Sequence, residues 1–150
     1  MKTPQTGPGA VLVAYDHSAG SQRALARAVA LAQALRSGLL IAHVIEWSPY
    51  RFTIPEDNAE RHLRREAEIA AAENEVLAPA CRVADEAGVA AEPLVRHGHV
   101  AETLAALATE RGAALIVCGR RGQSRIHSLL LGSVATSLVQ ISQVPVLVVP

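Results

Sequence analysis

Residues 10–47 decide the fold: AVLVAYDHSAGSQRALARAVALAQALRSGLLIAHVIEW. The stretch opens with a short apolar run, AVLVAYD (10–16), whose length and β-branched residues are typical of a strand. It then changes to helical spacing over 18–38 and ends in LLIAHVIEW (39–47), which is apolar almost throughout. Because parallel strands are buried under helices on both faces, this apolarity indicates a strand–helix–strand unit with parallel strands.

The helix of this unit has sequence signals at both ends and along one face. Ser18 is suited to be the N-cap, and Gly38 is placed to end the helix. The predicted buried face consists of Leu25, Val29, Ala32 and Leu35.

The same alternation continues along the chain. The further elements are predicted as a long helix over 58–87, a strand over 89–98, a helix over 100–112, a strand over 113–119, a helix over 133–142 and a strand over 144–150. Pro79 should kink or divide the long helix, and Pro93 argues that its strand lies at a sheet edge. The alternation predicts an α/β fold, a doubly wound sandwich with a parallel sheet and helices on both faces. Ligands bind such folds beyond the carboxyl ends of the strands.

The length and composition favour one domain. At 150 residues the chain can bury a single core, and only 3% of the residues are aromatic, so Ala, Val, Leu and Ile are expected to fill it. We expect a flexible N-terminal segment over 1–9, a single domain over 10–150 and an irregular loop over 48–57. No apolar run is long enough to span a membrane and no secretory signal is seen, so a cytoplasmic location is expected.

The balance of charge argues against a general polyanion-binding protein. Fourteen Lys and Arg residues match fourteen Asp and Glu residues, so neither nucleic acid nor membrane insertion is expected. Cys81 and Cys118 have no metal-binding or disulfide spacing and are expected to be free thiols. Any anion site must therefore be local.

The most unusual segment is GRRGQSRIHSLLLGS (119–133), which follows the fourth strand. Each of its glycines, Gly119, Gly122 and Gly132, costs about 0.5–1 kcal/mol relative to alanine, which indicates a demand on the backbone. A tight turn over the first two would aim amides at an anion as a nest, and a helix opening at Ser133 would add unpaired amides and the helix dipole. Taken singly, the glycines merely turn the chain and Ser133 merely caps the helix, but the combination favours an anion site.

The spacing G-x(2)-G-x(9)-G-[ST] from Gly119 to Ser133 resembles the nucleotide-binding signature of the ATP-binding branch of the universal stress protein family. The DHS sequence at 16–18 and the run VPVLVV near the end are also similar to that family, and the likeness extends over 10–150. The resemblance implies a five-stranded parallel sheet in the order 3-2-1-4-5, with ATP across the carboxyl ends of strands 1 and 4. It also implies a homodimer paired through the strand at 144–149.

Carried over by position, the resemblance assigns roles to individual residues. These are Asp16 and Val44 at the adenine, Ala14 and Cys118 along the cleft, Gly119 and Gly122 at the ribose and phosphates, Gly132, Ser133 and Val134 at the phosphates through main-chain donors, and Arg121 as a further phosphate-facing side chain. Mg²⁺ or Mn²⁺ would accompany the ATP, held mainly by phosphate oxygens and water, because the loop has no acidic residue.

Motifs of other nucleotide enzymes are absent. Neither the P-loop G-x(4)-G-K-[ST] nor the dinucleotide motif G-x-G-x-x-G occurs, and Ile126 breaks the serine-hydrolase pattern around Ser124. An Asp16–His17 catalytic pair is disfavoured because neighbouring residues on a turn do not share a face. A slow ATP hydrolase or self-phosphorylating transferase using either residue stays open, as does an interaction module of the same fold with an empty site.

The other histidines are expected to be structural. His97 and His99 lack a third metal ligand and are predicted to be solvated turn residues, and His43 is predicted to be a satisfied core residue. On these grounds we expect a regulatory stress-response protein that binds ATP and acts through conformation or through an unidentified protein partner.

Overall fold

The computed structural model describes residues 9–47, 57–123 and 130–150. Its strands are β1 (Val11–Ala14), β2 (Leu39–Glu46), β3 (Ala91–Gly98), β4 (Leu115–Gly119) and β5 (Val146–Val149). Its helices are α1 (Ala19–Leu35), α2 (Asn58–Ala71), α3 (Ala78–Glu86), α4 (Val100–Glu110) and α5 (Ser133–Ile141), with a π-helical turn over Ala72–Leu77 between α2 and α3. Apart from Gly9 and Asp57, the predicted N-terminal segment and the predicted loop at 48–57 lie outside the described residues.

All five strands form one parallel sheet in the order β3-β2-β1-β4-β5. The predicted α/β sandwich and its strand order are therefore confirmed. β3 and β5 are the edges, so Pro93, which cannot donate to a ladder, lies on an edge strand as predicted. β1 lies between β2 and β4, which brings the segments after these three strands to one end of the sheet.

Alternate residues of the central strand point to opposite faces of the sheet and form two apolar cores. On one face Val11 and Val13 pack with α1, α3 and the π-helical turn. On the other face Leu12 packs with α4 and α5. All three side chains are fully buried, which explains why the strand is apolar without interruption. In the described part of the chain, no helix is both long enough and apolar enough to cross a bilayer.

α1 begins as predicted but ends differently. Ser18 caps its first turn by accepting a hydrogen bond from a backbone amide (3.2 Å). At the other end Arg36, and not Gly38, takes the left-handed conformation, with φ 51°. The left-handed residue must follow the last turn directly, so Gly38 lies too far along the chain for that role. Leu35 is 53% exposed, so the predicted buried face ends at Ala32.

The predicted long helix is divided, as its proline suggested. Pro79 has no amide hydrogen and cannot make the α-helical bond to residue 75. The helix widens into the π-helical turn over Ala72–Leu77, and α3 then begins with Pro79 in its first turn. The division therefore places the missing hydrogen bond at a helix start, where it costs little.

His97 is not a solvated turn residue, and that prediction was wrong. It lies in β3, and its Nε2 is 2.8 Å from Glu68 Oε2 on α2. The His97 side chain is only 13% exposed. α2 has no fully buried residue, so this contact, together with the packing of Ile69 on the core, ties the helix to the sheet.

Candidate functional site

A cavity of about 560 Å³ opens at the carboxyl ends of β1, β2 and β4. Its volume is typical of small-molecule sites, and parallel α/β sheets bind ligands where the strand order reverses, as it does here beside β1. All ten residues of the predicted site line it: Ala14, Asp16, Val44, Cys118, Gly119, Arg121, Gly122, Gly132, Ser133 and Val134. Residues from distant parts of the chain thus share one cavity.

Asp16 is held by several hydrogen bonds just before α1, and one of its two carboxylate oxygens has no partner among the described residues. Its Oδ1 accepts hydrogen bonds from the hydroxyl and the amide of Ser18, the latter at 3.0 Å. The Asp16 amide donates to Ser21 Oγ (3.3 Å), and the Asp16 carbonyl accepts from Gln123 Nε2 (2.8 Å). No described residue bonds to Oδ2, which faces Gly122. This oxygen can accept a hydrogen bond from an amine or hydroxyl of a ligand.

Two backbone segments approach each other so closely beside the cavity that only glycine fits. A Cβ on Gly20 in α1 would lie 2.3 Å from the carbonyl oxygen of Arg121, and a Cβ on Gly119 would lie 2.9 Å from the carbonyl group of Gly20. Neither Gly119, Gly122 nor Gly132 has a positive φ, so none of them supplies a left-handed residue to the predicted nest. Of the three, Gly119 is the one that lies against α1, where it lets the end of β4 pack on Gly20.

Gly20 was not identified from the sequence. The sequence did contain a sign of its role, because glycine lowers the stability of a helix and is rarely found in the first turn of a strongly helical segment unless close packing requires it. The packing reason comes from Gly119 and Arg121, about a hundred positions further along the chain.

The start of α5 presents backbone donors to the cavity. Gly132 is the N-cap residue and no side chain caps the helix, so the prediction of Ser133 as the cap was wrong. The Gly132 amide donates to the Arg120 carbonyl (2.8 Å) and is not free for a ligand, contrary to what the resemblance implied. The amides of Ser133, Val134 and Ala135 have no acceptor within the described residues, as is usual for a first helical turn. Together with the helix dipole, they can bind an anion.

Arg121 adds a positive charge to the cavity wall. Its Nε is buried and has no hydrogen-bond acceptor among the residues that the structure describes. Leaving such a donor unmet is costly, and an anionic ligand would satisfy it. The neighbouring Arg120 is exposed, and its amide donates to the Val149 carbonyl at 2.7 Å. Of these two arginines, Arg121 is therefore the better anion ligand.

The inner wall of the cavity is apolar. Ala14, Val44, Val100, Leu104 and Cys118 contribute to it. Cys118 is 2% exposed, and burial raises the pKa of its thiol to about 11, so it is neutral at physiological pH. Both cysteines are free, as predicted. Such a wall suits a planar, weakly polar ring.

His43 lines the cavity, although the sequence pointed to a core residue. It is half-buried, and its Nδ1 lies 2.9 Å from the Tyr15 carbonyl oxygen. The prediction that His43 is satisfied is correct in the sense that it has this partner, but its place at the cavity was missed. Alternation along β2 puts its side chain on the face opposite to Val44, and nothing in the sequence signalled that the two residues share one site.

His17 does not pair with Asp16. It has a left-handed backbone, with φ 64°, and its Nδ1 lies 3.2 Å from the Tyr15 hydroxyl. Burial, and to a smaller extent the charge of Asp16, raises the pKa of Tyr15, so this hydroxyl stays protonated and shares a hydrogen bond with the imidazole. The arrangement offers no general base directed at the cavity from His17.

Within residues 9–47, 57–123 and 130–150, no group of three or more His, Cys, Asp or Glu side chains is placed to hold a metal ion. His99 is the N-cap residue of α4, and its side chain forms no capping hydrogen bond. A metal ion in the cavity would therefore depend on oxygen atoms of the ligand and water for most of its coordination.

Comparison with known proteins agrees with this architecture. The model of the universal stress protein family matches residues 9–150. The chain is 34% identical over 152 residues to the universal stress protein YxiE of Bacillus subtilis (strain 168), covering 93% of this chain and 97% of that protein. It is 36% identical over 141 residues to the universal stress protein in the QAH/OAS sulfhydrylase 3′ region of Thermus aquaticus, covering 93% and 96%.

Solved structures lead to the same conclusion. A universal stress protein in complex with cAMP is 29% identical, with a TM-score of 0.67 and coverage of 97% of this chain and 98% of that one. The universal stress protein from Archaeoglobus fulgidus in complex with dAMP has a TM-score of 0.64 over 97% and 99% of the two chains, and at 20% identity it supports the fold alone. With the family model matching almost every residue, and two relatives above 30% identity over nearly their full length, this chain belongs to the universal stress protein family.

Proposed function

We propose that the protein binds ATP in this cavity and acts in the cytoplasm as a nucleotide-dependent regulatory module of the stress response. One observation carries the proposal: the first turn of α5, whose amides have no acceptor among the described residues, and Asp16, whose Oδ2 has no described partner, line the same cavity. A single ligand with an aminated ring at one end and a polyanionic tail at the other would satisfy both.

The base end of the cavity has the chemistry that adenine needs. Val44 and Cys118 offer apolar surface to the ring, and Asp16 Oδ2 can accept from an exocyclic amine or a ribose hydroxyl. Because Asp16 is already fixed through its amide, its carbonyl and Oδ1, little side-chain entropy would be lost on binding.

The phosphate end combines backbone donors, a cation and space. The amides of Ser133 and Val134 and the buried Nε of Arg121 are its donors. A Cβ on Gly132 would lie 3.2 Å from both the Arg120 carbonyl oxygen and the Arg121 Cα, so a larger residue would press on the loop there. Mg²⁺ or Mn²⁺ would be held by phosphate oxygens and water, and would offset the charge of the triphosphate.

The relatives support a nucleotide as the ligand class. A universal stress protein that is 29% identical to this chain has been solved in complex with cAMP, an adenine nucleotide. An adenine base with a phosphate is the chemistry that this ligand shares with ATP. The triphosphate is inferred from the donors at α5 and from Arg121.

We infer that the output is a change of conformation or the binding of a protein partner. The residues proposed at the phosphates are backbone amides and one arginine, which bind charge but do not move protons. Slow hydrolysis or self-phosphorylation using Asp16 is the second candidate. Turnover clearly above background in the wild type, and lost in Asp16→Asn, would favour that candidate.

Calorimetry with three proteins tests the proposal. Arg121→Gln removes the buried donor, and Arg82→Gln removes an exposed arginine of α3 as the matched control. We expect Arg121→Gln to weaken MgATP by about ten-fold, the worth of one charge-assisted hydrogen bond, and to leave adenosine unchanged. Arg82→Gln should match the wild type. No heat with any adenine nucleotide would remove the nucleotide claim. Equal MgATP affinities for all three proteins would remove Arg121 from the proposed phosphate site.

We also propose a homodimer through the strand predicted at 144–149. β5 is an edge strand, and Leu147, Val139 and Ile141 are 38%, 51% and 44% exposed. An edge strand leaves backbone groups unpaired on its outer side, and a second copy in antiparallel pairing would satisfy them while covering these side chains. An unidentified protein partner would use another surface.

A further inference from the structure

The ladder of backbone hydrogen bonds between β1 and β2 lacks its last bond, the one that would follow the bond from the Tyr15 amide. The Tyr15 amide donates to the Ala42 carbonyl (2.8 Å), so even-numbered residues of β2 direct their amides and carbonyls toward β1. The next bond of a parallel ladder would run from the Val44 amide to the Tyr15 carbonyl. In its place, His43 Nδ1 lies 2.9 Å from that carbonyl oxygen.

This contact fixes the proton on His43. A carbonyl oxygen only accepts hydrogen bonds, so Nδ1 must carry the hydrogen and donate it. The Tyr15 carbonyl is then satisfied by a side chain.

Within residues 9–47, 57–123 and 130–150 the Val44 amide has no hydrogen-bond acceptor, although Val44 is only 9% exposed. Buried amides almost always have partners, so an unpaired one on a cavity wall marks a place for a ligand atom.

We propose that His43 is a positioning residue, which occupies the Tyr15 carbonyl so that the Val44 amide stays available to a hydrogen-bond acceptor of the ligand. The adjacent Val44 carbonyl faces the same side and can accept from a ligand amine. The pair would read a ring that carries an acceptor nitrogen next to an amino group. The identity of that ring rests on the proposed function, whereas the arrangement of His43, Tyr15 and Val44 does not.

The wild-type protein without nucleotide provides the first test. Imidazole ¹⁵N shifts should show His43 with its proton on Nδ1. Through-hydrogen-bond scalar coupling between the Val44 ¹⁵N and the Tyr15 ¹³C′ should be absent. A proton on Nε2 alone, or an observed Val44–Tyr15 coupling, would overturn the proposal without any variant.

Two variants of matched shape provide the second test. His43→Asn keeps a donor at the place of Nδ1, and His43→Leu has the same shape as Asn without the donor. In His43→Leu the Val44–Tyr15 coupling should appear and exchange of the Val44 amide should slow, whereas His43→Asn should resemble the wild type. An unchanged Val44 amide in a folded His43→Leu protein would contradict the proposal, and His62→Leu, at an exposed site, controls for loss of a histidine.

Nucleotide affinity separates this inference from the proposed function. If the Val44 amide is occupied in His43→Leu, AMP must compete for it, and we expect about three- to ten-fold weaker binding that His43→Asn restores. Equal affinity of His43→Leu and wild type for AMP would count against the positioning role. If no nucleotide binds any of the proteins, the proposed function fails, while the couplings still decide the role of His43.

Discussion

Replacing Gly20 by alanine should destabilise the protein, although the change puts the best helix former into α1. Helix propensity alone predicts a gain of up to about 1 kcal/mol. The structure predicts the opposite sign, because the new Cβ would lie 2.3 Å from the carbonyl oxygen of Arg121. That oxygen belongs to the backbone and cannot rotate away as a side chain would.

The size of the effect follows from this distance. The Arg121 carbonyl must retreat by about 0.7 Å to reach even the shortest contact that a Cβ tolerates. Overpacking of this kind typically costs about 1–3 kcal/mol, which exceeds the gain in propensity. We therefore expect a net loss of about 1 kcal/mol, or a fall in Tm of about 3 °C for a chain of this length.

The same shift should reach the proposed ligand site, because Arg121 is part of the cavity wall. Thermal unfolding and MgATP titration of Gly20→Ala measure the two effects, and we expect about ten-fold weaker binding. Ala30→Gly is the control, since Ala30 is an exposed residue of the same helix. It should lose about 1 kcal/mol through propensity with unchanged affinity. A higher Tm for Gly20→Ala, with wild-type affinity, would refute the packing argument.

Two further predictions concern Cys118 and β5. The raised pKa of Cys118 means that the folded state keeps this proton up to about pH 11, whereas the unfolded chain loses it near 9.0. The stability that the protonated Cys118 thiol contributes is complete below pH 9 and is lost as the pH rises toward 11. In denaturant titrations the free energy of unfolding, relative to that of Cys118→Ala, should therefore fall by about 2 kcal/mol between pH 9 and 11. A parallel pH dependence of both proteins would show that the thiol is not responsible. Leu147→Lys should convert the proposed dimer to a monomer in sedimentation at micromolar concentration, whereas Val83→Lys, at an exposed site away from β5, should not. A wild-type protein that sediments as a monomer under these conditions would refute the dimer.

Regular alternation made the fold predictable from the sequence. The apolar runs of the inner strands β1, β2 and β4 are largely buried between helices on the two faces of the sheet, so spacing alone indicated the parallel sheet and the end at which ligands bind. The glycine spacing and the resemblance together named residues that share one cavity, from Ala14 to Val134. Both signals depend on which residues stand at which spacing along the chain, so they can be found in a single sequence.

Contacts between distant segments were not predictable in the same way. Gly20 is explained only by the carbonyl of Arg121, and His97 only by Glu68 on a separate helix. The role of His43 depends on β1 ending before β2 does, a difference of strand length that an apolar pattern does not record. In each case the cause lies in a contact between two segments and not in either segment alone.

The brevity of α5 has a mechanical consequence. Nine residues of α-helix are about 13 Å long, so the first turn beside Ser133 and the exposed flank at Ile141 are the two ends of one short rigid rod. Leu138 anchors that rod in the interior. An anion that binds the amides of the first turn would therefore tilt the helix as a unit and displace its far end. Binding in the cavity would in this way change the surface beside the edge of the sheet without unfolding any segment.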